Sequence, residues 1–136
     1  MKLFIDTSAL YALAARRDQN HEAAKRKYEE LVQDNVLFVL SDHVLAETAT
    51  LLRRRLGYDA SQSFLTFMDK AEKTKIYEVI YADAVLLERA KEYFSHMPDS
   101  KLSLVDAISF AAMQLHHIRH FFAFDKHFLE AGFQEA

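Results

Sequence analysis

The chain has 136 residues but no cysteine, one proline and only two glycines. The lack of cysteine excludes disulfide scaffolds, thiolate zinc sites, iron-sulfur clusters and thiol nucleophiles, and it is compatible with a reducing compartment. With Gly57 and Gly132 as the only glycines, neither a Walker loop nor a glycine-rich dinucleotide motif can be present. The absences therefore exclude P-loop ATPases and Rossmann dehydrogenases, and they favour a cytoplasmic location.

Strong net charge and long apolar runs are also missing. Lys and Arg number 17 against 20 Asp and Glu, a net charge of -3, so overall charge does not indicate a nucleic-acid-binding protein. No run approaches the roughly 18 apolar residues of a membrane span. The first residues resemble a secretory signal, but Asp6 would interrupt its apolar segment. We expect one soluble domain covering residues 1–136.

Apolar patterning predicts strands that alternate with helices. Strands are expected at residues 3–5, 37–40, 76–81 and 120–124, and helices at 8–15, 20–33, 42–56, 59–73, 83–94, 103–117 and 126–131. Strands alternating with helices of ten or more residues pair in parallel through helical crossovers. The sequence therefore predicts a three-layer α/β/α sandwich around a central, mostly parallel sheet of four to five strands.

Four acidic side chains are expected near one edge of this sheet. Asp6 and Asp125 end predicted strands, Asp106 lies in the first turn of the helix that opens at Ser103, and Glu47 lies in the first half of the helix after the second strand. Helix N-termini gather at the carboxyl edge of a parallel sheet, which is where ligands bind in such folds. We therefore expect the four acids to share one pocket.

Each acid also has a purely structural explanation. Asp6 and Asp125 can cap helices, Ser103 and Asp106 match a capping box, and Glu47 can be an ordinary exposed helix residue. Together, however, the acids repel one another, by about 4 kcal/mol for a pair ~4 Å apart at an effective dielectric near 20. A divalent cation would offset this repulsion, and carboxylates without His or Cys favour Mg²⁺ or Mn²⁺ over Zn²⁺.

Four short motifs carry these acids in the order FIDTSAL, VLAET, LSLVDAISFA and FAFDKHF. In order and spacing they resemble the PIN domains, and within them the toxin-type ribonucleases called VapC. The resemblance implies four catalytic acids that hold one or two Mg²⁺ or Mn²⁺ ions: Asp6, Glu47, Asp106 and Asp125. It also implies that Thr7 and Ser8 are polar neighbours of this site. Family members often carry a hydroxyl two residues before the fourth acid, where this chain has Ala123.

The activity implied by this resemblance is metal-dependent hydrolysis of RNA phosphodiester bonds, with 5′ phosphate and 3′ hydroxyl products. It further implies an RNA substrate, an antitoxin protein as partner and a homodimer. The main alternative is a catalytically inactive PIN-like module that binds only metal or a partner. A second alternative is a relative that cuts DNA. A haloacid dehalogenase phosphatase is disfavoured because it needs a second Asp at the position of Ser8.

Three basic clusters suggest phosphate binding, at residues 16–17, 25–27 and 53–55. Three consecutive helical residues spread over about 200° of azimuth, so they cannot all face one ligand. We interpret the clusters mainly as solvated faces, with Arg53 kept as a possible substrate contact.

Histidines and aromatic residues are interpreted mainly as structural. His116 and His120 have metal-compatible spacing but straddle the expected end of a helix, and no acid joins them. His127, two residues after Asp125, is a candidate for substrate contact. The aromatic side chains are expected to pack in the core, including Phe121, Phe122 and Phe124 in the last predicted strand and Phe64 and Phe67, with Met68, on a helix.

Overall fold

A computed structural model describes all of residues 1–136. Its elements alternate between strands and helices: β1 (Lys2–Ile5), α1 (Thr7–Ala14), α2 (His21–Gln33), β2 (Leu37–Ser41), α3 (Asp42–Leu56), α4 (Tyr58–Lys73), β3 (Tyr77–Ile80), α5 (Ala84–His96), α6 (Leu104–Leu115), β4 (His120–Phe122), α7 (His127–Glu130) and β5 (Gln134–Glu135). The five strands form one sheet in the order β3-β2-β1-β4-β5, and all four pairings are parallel. This confirms the predicted α/β/α sandwich.

The central strands are short and almost entirely apolar because both faces of the sheet are covered. Leu3, Phe4 and Ile5 of β1 have no exposed surface, and Phe38, Val39 and Leu40 of β2 have none either. Continuous apolar runs of this kind are typical of parallel strands buried on both sides. The strands and the inward faces of the helices form one cluster of 33 buried hydrophobic residues.

The order of the strands reverses at β1, which lies between β2 on one side and β4 on the other. The chain leaves β1 and β4 at the same edge because the two strands are parallel. Immediately beyond β1, the backbone N–H of Asp6 donates to the carbonyl of Phe122 at 3.0 Å. This switch point is the position where open α/β sheets bind ligands.

The last third of the chain departs from the predicted boundaries. β4 ends at Phe122, two residues early, because the N–H of Phe124 donates to the Ser8 hydroxyl at 2.9 Å instead of to a neighbouring strand. The Phe124 side chain is therefore exposed, and Phe67 on α4 is also exposed, so the prediction that both rings lie in the core is wrong. Strand β5 was not predicted, since two exposed residues carry no apolar pattern.

None of the helices is both long enough and apolar enough to cross a membrane.

Candidate metal centre

Asp6 is held at the junction of β1 and α1. It is the N-cap of α1, as the structural explanation of this acid predicts, and its Oδ2 accepts from the backbone N–H of Ser8 at 3.1 Å and from the Ser8 hydroxyl at 2.8 Å. Only 4% of the residue is exposed. The Ser8 hydroxyl also accepts from the backbone N–H of Phe124, so one serine connects the first acid to the segment that carries Asp125.

Asp106 is fixed by the capping box that its spacing from Ser103 predicts. The backbone N–H of Ser103 donates to Asp106 Oδ2 at 3.1 Å, and the N–H of Asp106 donates to the Ser103 hydroxyl at 3.0 Å. The box begins α6 and holds the carboxylate at the start of that helix. Structural and functional explanations of this acid are therefore compatible.

Asp125 lies in the turn between β4 and α7, where its Oδ1 accepts from the backbone N–H of His127 at 3.0 Å. The ring of His127 turns back toward both acids, with Nδ1 at 3.2 Å from Asp106 Oδ2 and 3.7 Å from Asp125 Oδ1. The angles are not those of a hydrogen bond, so this buried Nδ1 has no hydrogen-bond partner. His127 thus lies beside Asp106 and Asp125, whereas its sequence spacing indicated only a contact with substrate.

Glu47, the fourth predicted acid, reaches the same place from α3. It lines an open cavity of about 380 Å³ together with Asp6, Asp106, Asp125 and His127. Glu47 itself is exposed, and it is not among the ligand atoms that lie within 4.8 Å of one another, which belong to Asp106, Asp125 and His127. The structure therefore brings all four acids to one cavity, with Glu47 at its margin.

Two hydroxyls flank the acids. The Thr48 hydroxyl donates to that of Thr7 at 3.1 Å, and this buried contact fixes the start of α1 against α3. Ser8 contacts Asp6 directly, whereas Thr7 is buried at the cavity wall. The two polar neighbours predicted from the sequence thus line the cavity in different ways, Ser8 orienting a carboxylate and Thr7 connecting two helices.

Burial and a neighbouring carboxylate raise the pKa values of two of the acids, Asp6 and Asp125. Burial, then the charge of Asp125, raises the pKa of Asp6 from its ordinary 3.8 to about 7, against the opposing hydrogen bonds from Ser8. Burial and the charge of Asp106 also raise the pKa of Asp125, against the backbone hydrogen bond from His127. The carboxylate cluster is therefore short of positive charge when no cation is bound.

The donor set fits a divalent cation. Three ligand atoms lie within 4.8 Å of one another, the Nδ1 of His127 has no hydrogen-bond partner, and carboxylates surround the same cavity. The carboxylate oxygens suit Mg²⁺ and Mn²⁺, but His127 adds an imidazole nitrogen, so the premise of a donor set without His, from which the sequence favoured these ions over Zn²⁺, is wrong. The residues present are thus suited to a divalent metal ion.

The arginine at this cavity is Arg55, not the predicted Arg53. The guanidinium of Arg53 lies 5.2 Å from the ring centroid of Tyr58, away from the acids. Arg55 lines the acidic cavity, and its guanidinium lies 5.2 Å from the ring centroid of Tyr11, another lining residue. Arg54 lines a different cavity. The three arginines therefore point in three directions, as their helical spacing predicts.

Sequence reasoning missed a group of polar residues in the α1–α2 connection. Asp18 and Asn20 line the cavity, and Asp18 Oδ2 accepts from the backbone N–H of Asn20 at 3.0 Å. Their only sequence signal is a short polar segment, DQN, which is typical of any surface turn. The carboxylate of Asp18 is a fifth acid at the cavity.

Comparison with known proteins places this geometry in a family. A family model described as "PIN domain" matches residues 3–134. The 23S rRNA-specific endonuclease VapC20 of Mycobacterium tuberculosis, in strains CDC 1551 and H37Rv, is 35% identical over 133 residues, which cover 98% of this chain and 96% of the relative. The crystal structure of VapC20, described as a sarcin-ricin-loop-cleaving toxin, superimposes with a TM-score of 0.84 at 36% identity and covers 98% of both chains.

Proposed function

The chain belongs to the PIN domain family, and from this premise we propose that it is a metal-dependent endoribonuclease acting as the toxin of a type II toxin-antitoxin pair. The observation that carries the proposal is the convergence of Asp6, Glu47, Asp106 and Asp125 on one cavity at the switch point of the sheet. The alternative function, a catalytically inactive PIN-like module, is not favoured, because all four acids expected at the site line the cavity. The experiment is cleavage of single-stranded RNA with Mg²⁺ or Mn²⁺, with and without chelator, and with DNA as a second substrate.

In this proposal, Asp6, Asp106 and Asp125 hold the metal ion or ions, with His127 beside them and Glu47 at the open margin. The chemistry that a divalent cation supplies at such a site is a lower pKa for the attacking water and an offset of the charge on the phosphate oxygens. Ser8 keeps Asp6 oriented, and the Ser103 box does the same for Asp106. Glu47, the exposed carboxylate at the margin of the cavity, would accept a proton from the attacking water.

Mg²⁺ or Mn²⁺ should stabilise the folded protein, because only the folded chain brings the acids together. At a metal concentration 100 times the dissociation constant, the free energy of unfolding should rise by about 2.7 kcal/mol. For a domain of this length that corresponds to a rise in Tm of ~10 °C. Thermal unfolding across a Mn²⁺ titration checks this, and an unchanged Tm would contradict the site.

Arg55 should contribute to RNA binding, since its guanidinium is the cationic group placed beside the acidic cavity. We expect Arg55→Ala to weaken binding of single-stranded RNA about fivefold to tenfold and to reduce its dependence on salt, because one phosphate contact is lost. Arg54→Ala is the matched control, one residue away on the same helix but lining another cavity. Equal effects of the two substitutions, measured by titration at two salt concentrations, would contradict this role.

The substrate and partners are inferred from the relatives. Because VapC20 is named for 23S rRNA, 23S rRNA is the first substrate to test here. An antitoxin protein, a homodimer and a cytoplasmic location remain predictions. Several apolar side chains on the surface would be buried by a protein partner, including Tyr81, Val85 and Phe94.

A further inference from the structure

Phe124 is an exposed aromatic side chain next to the acidic centre. It directly precedes Asp125, and 38% of its surface is exposed, although the sequence pattern predicts a core residue. Its ring centroid lies 5.9 Å from that of the buried Phe122, with the planes inclined at 60°. The ring is therefore supported on one side and open on the other.

The backbone of Phe124 is fixed by the same serine that orients the first acid. Its N–H donates to the Ser8 hydroxyl at 2.9 Å, and that hydroxyl donates to Asp6 Oδ2 at 2.8 Å. The backbone that carries the ring is thus tied to the side chain of the first acid's neighbour, Ser8. An exposed aromatic on a fixed backbone loses little conformational freedom when a ligand stacks on it.

Phe124 lines two adjoining cavities. On one side it lines the acidic cavity, and on the other it lines a smaller cavity of about 240 Å³ between β4, α2 and the end of the chain. Six of the eight residues around this second cavity are apolar. Lys27 and Glu135 are its two charged residues, and Lys27 makes only a long contact of 4.0 Å with Glu30.

We propose that Phe124 and this adjoining cavity hold one unpaired nucleobase of the RNA next to the phosphate that is cut. The inference rests on the proposed nuclease function and adds a specificity-determining residue to it. Continuity with the acidic cavity favours a base, because a phosphate at the acids places the next base within reach of the ring. Single-stranded RNA is bound in proteins by bases stacked on aromatic side chains, with hydrogen bonds at the base edges.

The charged residues at the rim fit the edge of a base. The Lys27 ammonium donates hydrogen bonds to carbonyl oxygens or ring nitrogens, and the Glu135 carboxylate accepts from exocyclic amines. A cavity of about 240 Å³, below the usual 300–1,000 Å³ of small-molecule sites, has room for one planar base. The base preference at this position therefore depends on Lys27 and Glu135.

Binding of single-stranded RNA to the full chain tests the proposal in an Asp106→Asn background, which should slow cleavage at least about a hundredfold. A 2-aminopurine base moved along the oligonucleotide identifies the stacked position, because stacking quenches its fluorescence. Phe124→Ala should lose this quenching and weaken binding about 5- to 150-fold, the range for loss of one stacked base. Phe124→Tyr should restore both. Phe67→Ala, which removes an exposed ring on α4 that lines neither of these two cavities, is the matched control.

An abasic substitution separates stacking from a purely structural role of the ring. On RNA that is abasic at the stacked position, Phe124→Ala should cause no further loss of affinity. The proposal is overturned if Phe124→Ala loses equal affinity for intact and abasic RNA, or loses no affinity for either. It is also overturned if Phe124→Ala changes the oligomeric state while its affinities for intact and abasic RNA stay as in the parent protein. Wild-type protein that binds RNA in this pattern but does not cut it with Mn²⁺ would contradict only the nuclease function.

Discussion

Asp106→Asn should reduce RNA cleavage at least about a hundredfold while leaving the fold in place. The change removes one negative charge from the cluster in which Asp106, Asp125 and His127 present ligand atoms within 4.8 Å of one another. Loss even of residues that only support metal ligands usually reduces metal affinity or activity 10- to 100-fold, and loss of a ligand should do more. The asparagine side-chain oxygen can still accept from the Ser103 N–H, so the capping box is kept.

The matched control is Asp69→Asn, which makes the same chemical change on the exposed surface of α4, away from the acids. Its cleavage rate should equal that of the wild type. Initial rates on single-stranded RNA with saturating Mn²⁺, together with circular dichroism of all three proteins, give the comparison. Wild-type rates for a folded Asp106→Asn protein would remove Asp106 from the catalytic set.

Asp6→Asn should abolish cleavage and, in metal-free protein, raise stability. Asp6 is 4% exposed, and its pKa is raised to about 7 by burial and by the charge of Asp125. An acid with a folded pKa near 7 and an unfolded pKa near 3.8 destabilises the folded state by at most about 4 kcal/mol above pH 7. Asparagine accepts the same Ser8 hydrogen bonds and is an equally good N-cap, so this destabilisation is removed without loss of the cap.

The pH dependence follows from the same raised pKa. The stabilising contribution of Asp6 is complete below pH 3.8 and is lost as pH rises through about 7, because the folded state holds its proton longer than the unfolded state. Between pH 5 and pH 8 the metal-free wild type should lose roughly 2–3 kcal/mol relative to Asp6→Asn. Urea unfolding with chelator at the two pH values measures this difference. A gap between the two proteins that does not change with pH would contradict the raised pKa.

Metal should reverse the order of stability. With saturating Mn²⁺ at pH 8, the wild type gains the binding free energy and Asp6→Asn gains much less, because one ligand is gone. If the acids served only the structure, Mn²⁺ would leave the free energy of unfolding of both proteins unchanged, and the order of stability would not reverse. Residues that form a functional site often lower the stability of the folded protein.

The acids could be predicted from the sequence because their positions depend on local structure. Asp6 follows an apolar strand, and Asp106 follows Ser103 by the three residues of a capping box, so the chain itself places both at helix starts. Parallel pairing then brings these starts to one edge of the sheet. Four of the five strands, their parallel pairing and the convergence of the acids follow from this reasoning, whereas β5 does not.

The rest of the site depends on packing between distant elements. Arg53 and Arg55 differ by two residues on α3, and which of them faces the acids depends on how α3 lies against α1. His127 reaches Asp106 because α7 begins beside α6, a contact between residues that no local pattern encodes. Phe124 leaves the sheet because its N–H bonds to Ser8, 116 positions earlier in the chain.

The most direct measurement of the central claim is anomalous diffraction at the manganese absorption edge from crystals of the wild-type protein soaked in Mn²⁺. We predict one or two anomalous peaks in the cavity, each within coordination distance of carboxylate oxygens from at least two of Asp6, Asp106 and Asp125. Peaks confined to other surfaces, with these three carboxylates left without metal at saturating Mn²⁺, would contradict the account.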